Sequence, residues 1–368
     1  MSEQITEMVL PGTYIDVRPE GLIGVGGIAT GNVGVVGTAS AGPIHQVEIL
    51  SSPGDIEDLF GPMPPWDGAD GATNLSLVRT LRHVFAGGAS TVFAVRIAVT
   101  DGDGVPADNQ AEVTTAEVAE GLQVLADEPV QILAIGGFVG ADVAGQVSAH
   151  LDATETDGRE RIAVLGVENA LAIAPDAVVP AGPRVVQVTP GLTVQEGDTE
   201  VTLPESYAAA VVAGRLASLP PHGSPTNKDL AISGLSTRYN RGQQKTLLGK
   251  RLLVLHQSFG FRILQGISTD GGPFRQISVR RIVDYAKAGV RKGANPYIGR
   301  LNNPRVRAAL QATLDGFLSG MVVDEMLQGY ELTVEATRAE EIQGIARVEL
   351  LLQPTFSIDF IKVIMNLA

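Results

Sequence analysis

Apolar residues along the chain switch between helical spacing and short continuous runs. In residues 74–87 they recur every three to four positions, which predicts an amphipathic helix, and the apolar run at 91–97 predicts a strand. The same alternation returns between residues 113 and 220. The predicted helices there lie near residues 115–126, 141–153 and 205–218, and the predicted strands are Val130–Ile135, Ile162–Leu165 and Val185–Val188. This order predicts a small parallel or mixed sheet with helices on its faces.

Helices followed by strands are predicted in the last quarter of the sequence. An apolar stripe from Val279 to Val290 has helical spacing and leaves basic residues on the opposite face. A second helix is predicted to begin at Asn303–Pro304, because a capping residue is followed by proline at the first helical position. Apolar and polar residues alternate from Tyr330 to Thr337, which predicts a strand with one buried and one solvated face. Residues Ile345–Leu352 are predicted to form a second strand.

Both end segments of the sequence have a strand-like pattern without an obvious local partner. The first 20 residues are predicted to form an extended arm. Near the C-terminus the alternation changes phase after Phe360, which indicates a bulge or a strand contacted on both faces. The apolar residues of the two segments are Tyr14, Ile15 and Val17, and Phe356, Ile358, Phe360, Ile361 and Val363. A bare apolar edge invites pairing with another chain, and we predict that this is its use here.

Composition excludes several classes of protein. The chain has 368 residues, of which 44% are hydrophobic and 18% charged, so it suits about two folded domains. It has no cysteine, which excludes disulfides, thiolate metal sites and cysteine nucleophiles but leaves the redox compartment open. No apolar run reaches the roughly 20 residues of a membrane span. The first residues lack the pattern of a signal peptide. We therefore expect a protein kept inside the cell unless lysis or a non-classical route releases it.

Charge is distributed unevenly along the sequence. The formal net charge is −14, which disfavours general binding to nucleic acid. Yet the stretch from Lys228 to Arg307 holds 16 of the 27 basic residues and only three of the 41 acidic ones. A self-associating particle, or one that surrounds an acidic partner, would use such a division. The alternative is an ordinary domain that places its positive charge late in the chain.

Motifs for enzyme chemistry are incomplete. Gly24–Ala29 fits the dinucleotide fingerprint, but Gly31 and its neighbours cannot sustain the helix that the motif needs. Gly249–Lys250 resembles the end of a P-loop, but Gln244 stands where the first glycine belongs. Asp101–Gly104 opens like a calcium loop without the later ligands. We therefore predict no catalytic, cofactor-binding or metal-binding residues. A soluble α/β enzyme remains the alternative, supported by the alternation of elements alone.

Short segments at both ends of the chain match a known family in their order and spacing. They are Leu10–Asp16, Val33–Ala39, Ala41–Pro43, Ser51–Gly61, Phe85–Ala89, Val92–Arg96, Asn227–Lys228 and Ser278–Ile282, followed by the closing strands. In these segments the chain resembles the contractile tail sheath proteins of phages and related injection systems. The resemblance covers residues 8–97 and 225–366, about two thirds of the chain, and the middle matches by position alone.

The resemblance implies a mixed α/β (α+β) fold in which the N- and C-terminal regions form a discontinuous core domain. An α/β middle domain would be inserted into that core, with extended β arms at both termini. The implied segments are an N-terminal linking arm (1–20), a first core segment (21–99), an inserted outer domain (100–222), a second core segment that is basic and faces the tube (223–354), and a C-terminal linking strand (355–368).

The resemblance also implies a function without enzyme activity or cofactor. Sheath subunits polymerise helically around an inner tube and contract to drive the tube through a target envelope. The partners would be other copies of the chain, the inner tube, and baseplate and terminator proteins, with no direct contact to nucleic acid or membrane. Assembly in the cytoplasm would precede incorporation into a phage tail or injection-system particle. A baseplate or collar relative with the same core fold is an alternative.

Two sets of residues are assigned to this function. The terminal arms would add strands to the sheets of neighbouring subunits. For contact with an acidic tube we select four cations, namely Arg280, Lys287, Arg291 and Lys292. The alternative for these cations is pairing with acidic residues of neighbouring sheath subunits.

Overall fold

The computed structural model describes residues 27–68, 74–98 and 113–366. They divide into two compact units. The large unit holds Ala29–Asp284 together with the segment that begins at Phe356. The small unit holds Tyr285–Thr355 together with Gly27 and Ile28.

The large unit alternates strands and helices along the chain. Its strands are β1 (Val33–Gly37), β2 (Val47–Leu50), β3 (Val92–Arg96), β4 (Ile132–Ile135), β5 (Ile162–Gly166), β6 (Val185–Thr189), β7 (Leu192–Glu196), β8 (Thr199–Leu203), β9 (Asp229–Leu230), β10 (Gly234–Leu235), β11 (Leu253–Gln257) and β12 (Phe261–Ile263). Its helices are α1 (Asp55–Phe60), α2 (Leu77–Gly87), α3 (Thr115–Leu125), α4 (Ala144–Thr156), α5 (Glu205–Ala217) and α6 (Arg241–Gly249). Helix α7 (Ile277–Ala294) begins here, and from Tyr285 onward its residues belong to the small unit.

Within the described residues, a nine-stranded mixed sheet runs in the order β2-β3-β1-β4-β5-β6-β11-β12-β9. The run from β3 to β11 is parallel, and β2, β12 and β9 pair antiparallel at its two ends. Helices cover both faces, so the apolar residues of the central strands are buried. In β1, Val33 and Val35 pack in the cluster that contains α2 and α5, whereas Val36 packs in the cluster of α3 and α4. The predicted mixed sheet with helices on its faces is confirmed.

Two glycines bring α2 and α5 into close contact on one face of the sheet. A Cβ atom at Gly214 would lie 1.9 Å from the carbonyl oxygen of Val84, and one at Gly87 would lie 2.3 Å from that of Val211. Any side chain at either position would therefore force the two helix backbones apart. The crossing depends on the absence of Cβ atoms at these two points.

The boundaries of the two compact units differ from the segment boundaries predicted from the sequence. Strands β1–β3, β4–β6 and β11 come from three of those segments, yet they share one sheet. The boundaries at 99/100 and 222/223 therefore lie inside the large unit, whereas the structure divides at 284/285 and at 355/356. Polar, proline-rich stretches suggested the predicted boundaries, but such a composition marks connections between paired strands as well as linkers. Which regions face outward in an assembled particle stays a prediction.

The small unit packs two helices and a β-hairpin around its own core. It contains a short 3-10 turn (Asn295–Tyr297), α8 (Pro304–Val323), β13 (Leu327–Glu335), α9 (Arg338–Ile342) and β14 (Arg347–Pro354). The predicted start of α8 is confirmed, because the side chain of Asn303 accepts a hydrogen bond from the amide of Val306 at 2.9 Å. Leu310 and Leu314 of α8 are buried beneath the hairpin. Over the stretches of the chain described, no helix is long and apolar enough to cross a membrane.

Candidate subunit-linking and basic surfaces

The segment that follows β14 carries a row of exposed apolar side chains. Residues 355–366 have no regular secondary structure and pair with no described strand. The exposed side chains of this row are Phe356, Ile358, Phe360, Ile361, Val363, Ile364 and Met365. Ile358 is 80% exposed and Phe360 84% exposed, values normally found for charged rather than apolar side chains. The five C-terminal residues selected from the sequence therefore form one surface, which we call the C-terminal arm (residues 356–366).

The N-terminal residues selected with them, Tyr14, Ile15 and Val17, lie outside the described residues. Their pairing with a neighbour stays a prediction.

The hairpin of β13 and β14 is a sheet with only two strands. Tyr330 pairs with Leu352 and Val334 with Val348 in antiparallel register. The predicted alternation of β13 is confirmed in part, because Leu332 and Val334 are half-buried against the core of the small unit while Thr333 is exposed. Among the described residues, neither strand has a second partner. Each therefore keeps one backbone edge at which a further strand can add.

Arg280, one of the four selected cations, is buried instead of facing solvent. Its side chain is 6% exposed, donates from Nε to Asp284 at 3.0 Å, and stacks on the ring of Phe274 at 4.3 Å. The sequence placed Arg280 on the polar face of α7 because its helical position is opposite the apolar stripe. The first turns of α7 are buried on this side as well, where Asp284 neutralises the arginine. In this chain Arg280 belongs to an internal ion-pair network.

The same network contains an arginine from the sheet. Arg184, at the start of β6, binds Glu155 of α4 at 2.6 Å and Asp284 at 2.9 Å. Burial alone would lower the pKa of Arg184, but the two carboxylates outweigh burial and raise the pKa above its usual value. Removing one partner would leave the remaining charges unpaired in a buried site. The network therefore fixes the beginning of α7 to the large unit.

The three other selected cations lie further along α7, in the small unit. Lys287 is half-buried, whereas Arg291 and Lys292 are exposed. The spacing of four residues places Lys287 and Arg291 on one side of the helix. Lys292 donates from Nζ to the carbonyl oxygen of Gly27 at 3.2 Å. We call these three residues the α7 basic face.

The chain shares its fold with solved subunits of contractile sheaths. Residues 269–368 match the family described as the phage tail sheath C-terminal domain. The resemblance predicted from the sequence is thus confirmed.

Particular relatives can be named. A chain of the contracted helical sheath of the anti-feeding prophage matches over 98% of this chain and 99% of its own, with a TM-score of 0.73 and 20% identity. The contracted sheath of the extracellular contractile injection system PVC gives a TM-score of 0.73 at 18% identity, over 98% of each chain. The sheath tail protein of Desulfitobacterium hafniense gives 0.67 at 17% identity, over 94% and 97%.

In sequence, the tail sheath protein of Mycobacterium phage Bxz1 is 23% identical over 348 residues. The match covers 88% of this chain but 56% of the phage protein, so the chain spans about half the length of this curated relative.

Proposed function

We propose that this chain is the subunit of a contractile tail sheath, which polymerises helically around an inner tube and contracts to drive the tube through a target envelope. The observation that carries the proposal is that nearly the whole chain has the fold of sheath subunits. The proposal includes assembly in the cytoplasm, followed by incorporation into a phage tail or injection-system particle, and it includes the inner tube, baseplate and terminator partners. No nucleotide is consumed, because the extended lattice is metastable relative to the contracted one.

Subunits are linked through the C-terminal arm. Its apolar side chains are exposed in the single chain, and the hairpin of β13 and β14 offers the open edges that an added strand needs. The occupant of a neighbour's hairpin would be the arm of a second copy. Such β-augmentation joins subunits through main-chain hydrogen bonds while alternate side chains fill pockets.

Deleting residues 361–368 tests this linkage. We expect a folded monomer, with an unchanged melting temperature, that no longer forms polymers in sedimentation, because the side chains of residues 361–366 are exposed. The double variant Ile361→Asp and Val363→Asp should behave in the same way. The control is Lys362→Ala, which changes the residue between them and should polymerise normally. Tubes built by the truncated chain would show that the arm is no linkage.

The α7 basic face contacts an acidic inner tube. Lys287, Arg291 and Lys292 lie in the basic stretch of an otherwise acidic chain, and exposed ion pairs of this kind are each weak enough to be released during contraction. Arg280 is excluded from this proposal, because its side chain is buried.

Charge reversal distinguishes the tube from the neighbouring sheath subunit as the partner of these cations. We expect Lys287→Glu with Arg291→Glu to abolish co-sedimentation with the tube while sheath-to-sheath contacts persist. Arg338→Glu is the matched control, since Arg338 is an exposed cation of α9 outside this face. Normal assembly on the tube together with failed sheath contacts would assign the face to the neighbouring subunit.

A position in the baseplate is the second candidate. The fold also matches a chain in the baseplate of the anti-feeding prophage, with a TM-score of 0.73 and 20% identity. The two candidates differ in the length of the assembly, because a sheath extends into a long tube whereas a baseplate component stops at a ring. Electron microscopy of the polymer distinguishes them.

The enzyme alternative gains no support from a cavity in the small unit. The small unit has an open cavity of about 370 Å³, lined mainly by apolar side chains such as Leu310, Val306 and Ile345. Two arginines line it, Arg300 and Arg307, and no carboxylate does. This cavity therefore offers no pair of groups for general acid and base catalysis.

A further inference from the structure

The beginning of the C-terminal arm has an inverted surface pattern. From residue 356 to 360 the apolar side chains Phe356, Ile358 and Phe360 point away from the large unit and are 58%, 80% and 84% exposed. The polar residues between them, Ser357 and Asp359, are half-buried and bonded to the large unit. A strand at a protein surface normally buries its apolar face and exposes its polar face to water. Something must hold this stretch with its polar side inward.

Asp359 is held by three uncharged donors from three different segments of the large unit. Its Oδ1 accepts from the hydroxyl of Thr226 at 3.1 Å. Its Oδ2 accepts from the side-chain amides of Gln265 at 2.9 Å and Gln276 at 3.0 Å. Hydrogen bonds to an ionised acceptor are about twice as strong as neutral ones, so the carboxylate is the strongest point of attachment in this stretch.

Gln276 also pairs with the backbone of Ser357. Its Oε1 accepts from the Ser357 amide at 3.0 Å, and its Nε2 donates to the Ser357 carbonyl at 3.2 Å. One side chain thus makes the two bonds that a neighbouring strand would make. Beside it, the hydroxyl oxygens of Ser278 and Ser357 lie 3.3 Å apart.

Contacts within the large unit hold part of the receiving side of this cluster. Gly266 packs so closely on Pro225 that a Cβ atom there would lie 2.4 Å from the proline ring. The Gly266 amide donates to the Thr226 hydroxyl at 2.9 Å, which orients that hydroxyl toward Asp359. Gln265 is buried, at 7% exposure. The Thr226 hydroxyl is therefore oriented by the large unit itself, which favours docking of the arm.

We propose that Thr226, Gln265, Gln276 and Asp359, which we name the arm root, fix the start of the C-terminal arm to its own subunit and stay closed in the assembled sheath. Asp359 is a positioning residue, because it sets which side chains of the arm face a neighbour. The inference rests on the proposed sheath function. Only the chain from Phe360 onward then crosses to the next subunit. The described residues 360–366 reach about 23 Å at roughly 3.3 Å each, so the root also limits how far a linked neighbour can move.

A disulfide across the root tests whether it stays closed. The chain has no cysteine, so Ser278→Cys with Ser357→Cys introduces a single possible disulfide at two positions already in contact. We expect the oxidised protein to polymerise to the same extent as the reduced one. Polymerisation that is lost on oxidation and regained on reduction would overturn the inference, because the root would then have to open during assembly.

Removing the carboxylate tests Asp359 itself. In the monomer, Asp359→Ala should speed tryptic cleavage after Lys362 about tenfold, measured by intact mass, because the chain before this site loses its attachment. The same variant should lose polymerisation while its melting temperature stays near that of the parent. Asp359→Asn keeps an acceptor for the two amides. Its cleavage rate and its extent of polymerisation should therefore lie between those of the parent and those of Asp359→Ala.

Rescue completes the test. Adding the oxidised Ser278→Cys and Ser357→Cys pair to Asp359→Ala should restore polymerisation if the carboxylate acts by holding the root. Failure of this rescue, or normal polymerisation of Asp359→Ala alone, would refute the arm root while leaving the sheath function intact. A parent chain that forms no polymer with or without its tube would instead refute the sheath function and the inference with it.

Discussion

Arg161 and His150 form a buried pair in the large unit, and the pair fixes the protonation state of the histidine. Arg161 is 1% exposed, and its guanidinium lies 3.0 Å from Nε2 of His150. Because arginine can only donate, Nε2 must be the unprotonated nitrogen, so His150 is neutral. Burial first, and then the charge of Arg161, lower the pKa of His150 to about 4.

This pair predicts an acid-sensitive contribution to stability. The pKa of His150 is lowered in the folded state, so between about pH 6.5 and pH 4 the unfolded chain binds a proton that the folded chain does not. The contribution is complete above pH 6.5 and is lost as the pH falls toward 4, by on the order of 3 kcal/mol. His150→Gln keeps an acceptor for Arg161 but cannot titrate.

Urea unfolding of the parent and of His150→Gln at pH 8, 6, 5 and 4 checks this prediction. The free energies of unfolding should be similar at pH 8, and the variant should become the more stable of the two as the pH falls. Parallel pH profiles would mean that His150 is not held neutral by the fold. His83, whose pKa is also lowered to about 4 by burial, is present in both proteins and cancels.

At the scale of elements, the crossing of α2 and α5 predicts a sharp contrast between two glycine-to-alanine substitutions. Gly214→Ala should lower the free energy of unfolding by about 3 kcal/mol, because the added methyl group meets the backbone of Val84 at 1.9 Å. Gly316→Ala is the matched control in α8. Its Cβ atom would meet nothing within 4 Å, so better helix propensity should raise stability by about 0.5 to 1 kcal/mol.

Chemical denaturation of both variants measures the contrast. Equal effects of the two substitutions would show that the helices can separate without cost. The sequence pattern does not identify this crossing, since it marks Gly87 only as a helix end and the Cβ clash depends on a partner more than 120 residues away.

Elements with a long, regular pattern could be predicted from the sequence. Helices α3, α5 and α8 and the strands β4 to β6 match their predicted positions within a few residues, because burial of one face imposes the periodicity. Short elements could not be predicted in this way. Helix α6 has too few apolar positions for a period to emerge. The hairpin of β7 and β8 was not predicted, although Gly197–Asp198 separates two alternating runs by two residues, which is a turn signal of such hairpins.

Site residues, too, could be predicted where the signal lies in one local segment, and could not where it depends on distant segments. The exposed apolar residues of the C-terminal arm can be identified because an alternating apolar run without a partner is visible in one segment. The burial of Arg280 is not predictable, since the network around it includes Arg184, about 100 residues distant in sequence. The attachment of Asp359 is not predictable either, because its three donors come from distant segments.

At the scale of the whole molecule, the main sheet joins segments that are far apart in sequence. Strand β1 lies between β3 and β4, so the segments before and after residues 99–112 contribute to one sheet. Composition identifies a polar connecting segment, but it does not show which strands pair on either side of that segment. The prediction that survives at this scale is the sheath fold itself, which the ordered segments at both ends of the chain identified.

The proposal that this chain polymerises into a sheath is tested most directly by negative-stain electron microscopy of the purified protein, alone and with the inner tube protein of its particle. We expect long hollow cylinders with a helical surface lattice. Discrete particles under both conditions would contradict the proposal. Cylinders that form only with the tube would show that assembly needs its template.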